Sequence, residues 1–225
     1  MKRDTVAQFN CFTWNIMKII CNEKWGDEWL HARGQRITSS GIAAALAAPG
    51  TQVKADYAAQ LLADLQNIPN HMNEQPDRWA VDARGMHERA VGWYANETGT
   101  APMAHGFIVH DNYEWLGFTP DGIIEPDGLV HVHYRKSIKA VRKNSNCTGA
   151  DMKRVQFELL CSGLRWCDYV NYWEDGKNHI GTIQRVFFDA EVADAVEYAC
   201  HLFWNEILTA HFDNIDLDKR EQDNE

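Results

Sequence analysis

Residues 119–135 read TPDGIIEPDGLVHVHYR, and the parsing of this stretch decides the fold. Pro120-Asp121-Gly122 and Pro126-Asp127-Gly128 are turn signals. Leu129 to Tyr134 is a β-branched, strand-like run. Alternation along such a strand points His131 and His133 to one face, towards the Asp of the preceding turn.

Working outward, further strand-like runs are Phe107 to His110, Trp115 to Thr119, Tyr169 to Trp173 and Thr182 to Phe188. Helical patterns cover Ala43 to Ala48, with Thr38-Ser39-Ser40 as N-cap candidates and Pro49-Gly50 as a stop. They also cover residues 51–66, Met86 to Glu97 (closed by Thr98-Gly99), Lys153 to Cys167 and Ala190 to Ala210. Asn67 to Asp77 reads as a polar loop. The order predicts one mixed α/β domain over residues 1–212, with a central mixed sheet flanked by helices. From Asp213 to Glu225 the chain is polar and acidic and is expected to be a mobile tail.

The composition is that of a globular protein, with 45% hydrophobic and 11% aromatic residues among 225. No stretch approaches the ~20 apolar residues that span a bilayer. The apolar run Phe9 to Cys21 is interrupted by Asn10, Asn15 and Lys18, so it reads as a packing segment rather than a signal peptide. Six scattered cysteines (Cys11, Cys21, Cys147, Cys161, Cys167, Cys200) form no C-x-x-C pair, as expected of buried thiols in a cytoplasmic protein. A net charge of -10 argues against broad nucleic-acid binding and leaves room for a local basic channel. Arg135, Lys136, Lys139, Arg142 and Lys143 form a basic run that reads either as a solvated loop or as a phosphate contact.

Metal-dependent phosphodiester cleavage needs converging carboxylates and a positive group near the attacking water. A common layout places an Asp in a turn and Glu-x-Lys on the next strand. Here the Asp is Asp121, and the strand carries His131 and His133. Together with Asp121 they offer two arrangements. One is a two-His, one-carboxylate set suited to Zn²⁺, Mn²⁺ or Fe²⁺; the other is a pair of polar residues hydrogen-bonded within the cleft.

Several segments, in order, resemble the YqaJ-type viral recombinase nucleases, the phage lambda exonuclease family of the PD-(D/E)XK superfamily. Trp29, Arg33 and Ile37-Thr38-Ser39-Ser40 are similar to its W-x3-R-x3-I-T-[AS]-S segment. Gly85-Met86-His87-Glu88 resembles its G-x-x-Y-E helix start, with the glycine one residue closer to the Glu. Thr119-Pro120-Asp121-Gly122 matches [ST]-P-D-G, and Val155-Gln156-Phe157 stands where the family has V-Q-Y. The resemblance covers about Trp29 to Phe212 and implies a restriction-endonuclease-like core. It also implies that Arg33 and Ser40 bind the 5'-phosphate of a DNA end, with Thr119, Arg154 and Gln156 nearby. Asp111, Asp121 and Glu88 fall on the family's metal-facing acids, so any metal would be held by Asp111, Asp121 and His131.

The departures lie at the centre of the motif. Where the family reads Glu-x-Lys, this chain has His131-Val132-His133, and the first Gln of Q-V-Q is Arg154. Neutral imidazole is a poor Mg²⁺ ligand, and an added guanidinium opposes metal binding. The expectation is a relative without nuclease catalysis or cofactor that binds DNA ends or a host or phage DNA-processing protein. The alternatives are a 5'-to-3' double-strand exonuclease using Mg²⁺ or Mn²⁺ at a reworked site (Asp121, His131, His133, Glu88), and a hydrolase built on the histidine pair. By resemblance alone, a three-subunit ring is implied for an active enzyme.

Overall fold

The computed structural model describes residues 17–66, 78–143 and 145–222, with the backbone alone at 78–83 and 214–222. Its elements are β1 (Lys18–Cys21), α1 (Asp27–Arg33), β2 (Ile37–Thr38), α2 (Ile42–Ala45), α3 (Gln52–Leu65), α4 (Arg78–Thr98), β3 (Phe107–Val109), β4 (Leu116–Phe118), β5 (Gly122–Ile124), β6 (Gly128–Tyr134), α5 (Ile138–Lys143), α6 (Gly149–Ser162), β7 (Trp166–Glu174), β8 (His179–Phe187) and α7 (Ala190–Gln222).

The strands form two four-stranded mixed sheets, in the orders β1-β3-β4-β2 and β5-β6-β7-β8. The chain passes from one to the other through Thr119-Pro120-Asp121. Pro120 has no N–H to extend the β4 ladder, so the strand ends there and Asp121 is left at the junction. β5 and β6 form an antiparallel hairpin whose return is pinned by Trp166 Nε1, which donates to Asp127 Oδ1 at 3.0 Å. Gly128 is required at this corner, because a Cβ there would run into the Trp166 ring.

β6 runs parallel to β7, with His131 opposite Tyr169 and His133 opposite Asn171. Its two faces are chemically different. Val130, Val132 and Tyr134 meet Ala90, Trp93 and Tyr94 of α4 in one apolar cluster. His131 and His133 point to the other side, where α6 lies. The main core is built by α2, α3, α6 and α7 around β2 to β4, with Phe157, Leu159, Phe203 and Cys200 fully or almost fully enclosed. Behind α4, Asp168 is buried and accepts from Tyr94 Oη at 2.6 Å and from Arg185 Nε and Nη2, both at 2.9 Å. That charge-assisted fork ties β7 to β8 and to α4.

The expected elements are present with shifted ends. The helix expected over Lys153–Cys167 runs instead from Gly149 to Ser162, ended by Gly163 in the left-handed conformation (φ 69°). Cys167 therefore belongs to β7. The helix expected from Met86 begins at Arg78, so Gly85 lies inside it and marks no helix start. Much of the basic run becomes the short helix α5. Where a tail was expected from Asp213, α7 continues to Gln222. Of the apolar run Phe9 to Cys21, Lys18–Cys21 forms β1; residues before Met17 and the expected loop Asn67–Asp77 lie outside the described residues. No described helix is long and apolar enough to cross a membrane. The cysteines from Cys21 onward are buried and free, and Cys11 lies outside the described residues.

Candidate functional site

A cleft opens where the two sheets meet. Its walls come from the loop after β1, from α1, from the Thr38–Ser40 turn, and from α4, Thr119, Asp121 and α6. Trp29 sets the geometry: it is buried on α1, and its indole Nε1 donates to Thr119 Oγ1 at 2.8 Å. Thr119 thereby has one acceptor site used and its own O–H left as a donor. Arg33, one turn further along α1, lies over the Trp29 ring at 4.5 Å and reaches Ser40 Oγ at 3.5 Å. Ser40 Oγ in turn contacts Thr38 Oγ1 at 3.0 Å. Burial and the neighbouring Arg154 make the Arg33 charge costly, with Tyr57 opposing; an anion placed here would relieve that cost.

Asp121 lies deep in the cleft, with both carboxylate oxygens engaged. Oδ1 pairs with His87 Nε2 at 2.6 Å, and Oδ2 accepts the Val132 N–H at 2.6 Å. Lys24 stands alongside and donates to the Pro120 carbonyl at 2.6 Å. Burial alone would raise the Asp121 pKa, but His87, His131 and Lys24 outweigh it and hold the carboxyl well below the usual range. Lys24 is pulled the other way: its burial lowers its pKa, partly offset by Asp121 and Glu88. Asp121 is thus held as an ionised acid by groups of its own chain.

Behind β6 lies a second, largely self-paired network, in which His131 Nε2 and Asn171 Nδ2 are buried without a hydrogen-bond partner among the described residues. His131 is enclosed; its Nδ1 bonds Glu158 Oε2 at 2.9 Å and its ring stacks on Tyr169 at 5.8 Å. Glu158, also buried, is shared with Arg154 at 3.4 Å. His133 Nδ1 approaches Asp151 Oδ1 at 3.3 Å, and its Nε2 contacts Arg135 Nη1 at 3.0 Å. Tyr169 donates to Asp151, and Arg135 donates to Asn171 Oδ1 at 2.6 Å and to Tyr169 Oη at 2.7 Å. Burial, together with Arg135, His131 and Arg154, holds His133 below its ordinary pKa against the pull of Asp151.

Arg33, Ser40, Thr119, Asp121 and Arg154 therefore converge as expected from sequence. Asp111 does not. It follows β3 at the end remote from Phe107, which lines the cleft, and is exposed beside His110. Gln156 does not either. It is fully buried, donating to the Phe187 carbonyl at 2.9 Å and accepting from the Asp189 N–H at 2.8 Å, so it joins α6 to the start of α7. Glu88 is exposed and felt by Lys24, and His131 and His133 sit behind the cleft wall. The set Asp111, Asp121 and His131 cannot hold a metal together. Among the described residues, no three His, Cys, Asp or Glu side chains converge as a metal site would require. The residues do not fit the divalent ion that the fold implies. Lys24, Trp25, His87 and Glu158 were not identified from sequence.

Fold and cleft define a mixed α/β core with a cationic recess at the sheet junction. The chain belongs to the YqaJ-like viral recombinase domain family, whose model matches residues 28–184. Its fold is similar to that of LHK-Exo, an alkaline exonuclease from Laribacter hongkongensis, in two crystal structures. One, in complex with dAMP, has a TM-score of 0.74 and 22% identity over 88% of this chain and 99% of that one. The other has a TM-score of 0.71 and 21% identity, with the same coverage. A phage-related exonuclease from Haemophilus somnus 129PT is similar at a TM-score of 0.58 and 8% identity, over 78% of this chain and 96% of that one. No curated protein matches the chain.

Proposed function

We propose that this protein captures 5'-phosphorylated DNA ends without cutting them. The carrying observation is that Asp121, the acid of the Thr-Pro-Asp-Gly turn, has both oxygens held by His87 and the Val132 N–H. A nuclease would turn that acid towards a metal ion. The recess beside it is cationic: Lys24, Arg33 and Arg154 line it with the hydroxyls of Ser40 and Thr119. A terminal phosphate dianion would take the Arg33 guanidinium as a fork and the hydroxyls as single donors. Arg154, whose Nε is turned towards Glu158, would add charge at the rim. The pocket's positive charge is local in a chain of net charge -10, so it selects an end over the flank of a duplex. A nucleoside monophosphate bound to the LHK-Exo structure is compatible with ligand chemistry of this kind. This reading needs no metal or other cofactor and places the protein with DNA in the cytoplasm.

The test is digestion of 5'-phosphorylated linear duplex with Mg²⁺, and separately with Mn²⁺, beside Asp121→Ala. The expected result is intact duplex in every lane, with end binding retained in EDTA. Digestion by the wild type that Asp121→Ala abolishes would overturn the proposal in favour of a working 5'-to-3' exonuclease.

A further inference from the structure

Along one side of the cleft two neighbouring indoles are flanked by cations. The Arg84 guanidinium lies over the Trp25 ring at 4.4 Å, Trp25 meets Trp29 at 4.7 Å with their planes 56° apart, and Arg33 lies over Trp29 at 4.5 Å. Trp29 and Arg33 are absorbed by the phosphate recess. Trp25 and Arg84 have no role there.

Four features set Trp25 apart from an ordinary surface residue. It is 39% exposed at the mouth of the cleft while its smaller-exposure neighbour Trp29 is buried. Its backbone has φ 73°, a left-handed conformation that a bulky side chain adopts only at a cost, and one found preferentially at ligand sites. Its cationic neighbour Arg84 has a buried Nε with no hydrogen-bond partner among the described residues. Among those residues, moreover, no ring stacks parallel on the Trp25 indole, because Trp29 meets it at an angle.

We propose that Trp25, backed by Arg84, is a stacking platform for the unpaired nucleobase of a 5'-phosphorylated terminal nucleotide. The proposal rests on the end-capture reading and deepens it: the substrate class is an end with a single-stranded 5' overhang, not a blunt duplex. A base has a π-face that an indole accepts whatever its sequence, and a guanidinium beside the indole adds cation–π attraction. With the phosphate on Arg33 and the base on Trp25, the two contacts fall on one wall, with the buried Trp29 ring between them.

The test is fluorescence anisotropy in EDTA with the full chain. The ligands are a duplex with a short 5'-phosphorylated overhang, the same duplex with abasic overhang sugars, and the same duplex with a 5'-hydroxyl. The wild type should bind the first at least about fivefold more tightly than the abasic one, the factor that corresponds to ~1 kcal/mol for one stacked base. Trp25→Ala should erase that factor and keep the preference for 5'-phosphate; Trp25→Phe should keep both. Trp25→Gly should erase it without lowering the thermal midpoint, since glycine relieves the left-handed strain. A packing role would instead lower the midpoint and weaken all three ligands equally, and that result would overturn the platform. Competition by dAMP would show that a free nucleoside monophosphate suffices, and competition by the overhang alone that a strand is needed; either supports stacking if the abasic ligand competes worse. Loss of the phosphate preference with the base preference intact would overturn only the end-capture reading. The reverse would overturn only the platform.

Discussion

The network between β6 and α6 and the cleft at the sheet junction handle charge by opposite rules. Towards α6, each cationic or imidazole group is matched to an acid or dipole: His131 to Glu158, His133 to Asp151, Arg135 to Asn171, Asp151 and Tyr169. In the cleft, Lys24, Arg33 and Arg154 outnumber Asp121, the one acid among the lining residues, and the surplus is positive. The closed network therefore contributes to folding, whereas the open cleft has charge left for a ligand. Towards α6 most of the charge is paired within the protein; under the end-capture proposal a DNA phosphate would answer the surplus in the cleft.

The sharpest way to break this comparison is to remove an acid from the closed side. Glu158→Ala would leave His131 Nδ1 enclosed without its partner, and a buried polar group left unsatisfied costs roughly 1–3 kcal/mol. Urea unfolding should show that loss, while replacing both residues (His131→Leu with Glu158→Met) should restore most of it. A loss below about 1 kcal/mol for Glu158→Ala would mean that the network is solvated and the contrast false.

On the open side the same kind of change should leave folding alone and damage binding. Arg33→Ala removes the guanidinium that faces the recess, and a hydrogen bond to a charged group is worth about 1.5–3 kcal/mol. Affinity for a 5'-phosphorylated end should fall roughly 10- to 100-fold by anisotropy, with a smaller effect on the 5'-hydroxyl end. An equal loss for both ends would place the phosphate elsewhere.

The contrast also explains what sequence could and could not disclose. Arg33, Ser40, Thr119 and Asp121 were legible because each sits in a short segment whose spacing carries its meaning. Lys24 and His87 were not, because each acts on Asp121 across a long stretch of chain, and a lone Lys in CNEKWGDEW or a lone His in a helix gives no local sign of it. Glu158 was hidden in an apolar helical pattern that gives no hint of a buried acid. Gln156 was misjudged for the converse reason: its motif position is the family's, yet its side chain turns to the Phe187–Asp189 corner. Asp111 follows a strand, as expected, but the β3–β4 hairpin carries it to the wrong end. Strand identity was readable, and end-to-end placement was not.

Acid titration should sharpen the comparison further, because His133 belongs to the closed network and His110 to neither region. Burial is the largest cause holding each below its ordinary pKa; for His110, Glu197 and Asp111 oppose it while His201 reinforces it. His110 Nδ1 accepts the N–H groups of Asn112 and Tyr113 at 3.1 and 3.2 Å, so protonation there would remove both bonds. The sign follows from a lowered folded pKa. The unfolded chain takes up protons first, so stability is full above about pH 6.5 and falls as pH drops towards the folded values. The slope is at most about 1.4 kcal/mol per pH unit for each histidine. Thermal midpoints between pH 7.5 and 5 should decline for the wild type and more shallowly for His110→Leu. A flat profile would remove the histidines from the stability account.

Arg154 is the one residue common to both regions, and its replacement should show the smallest effect on folding. Its side chain is 40% exposed, and its pair with Glu158 is an i,i+4 contact at 3.4 Å. Such pairs contribute about 0.3–0.5 kcal/mol, so Arg154→Gln should barely move a urea midpoint. In the cleft it supplies one positive charge to the rim. Removing one phosphate-facing cation should flatten the dependence of log K on log salt by about one, uniformly across end sequences. A large loss of stability with an unchanged salt slope would assign Arg154 to the closed network alone. The cleft would then hold its anion with Arg33 and Lys24, and the boundary between the two regions would run along the exposed edge of α6.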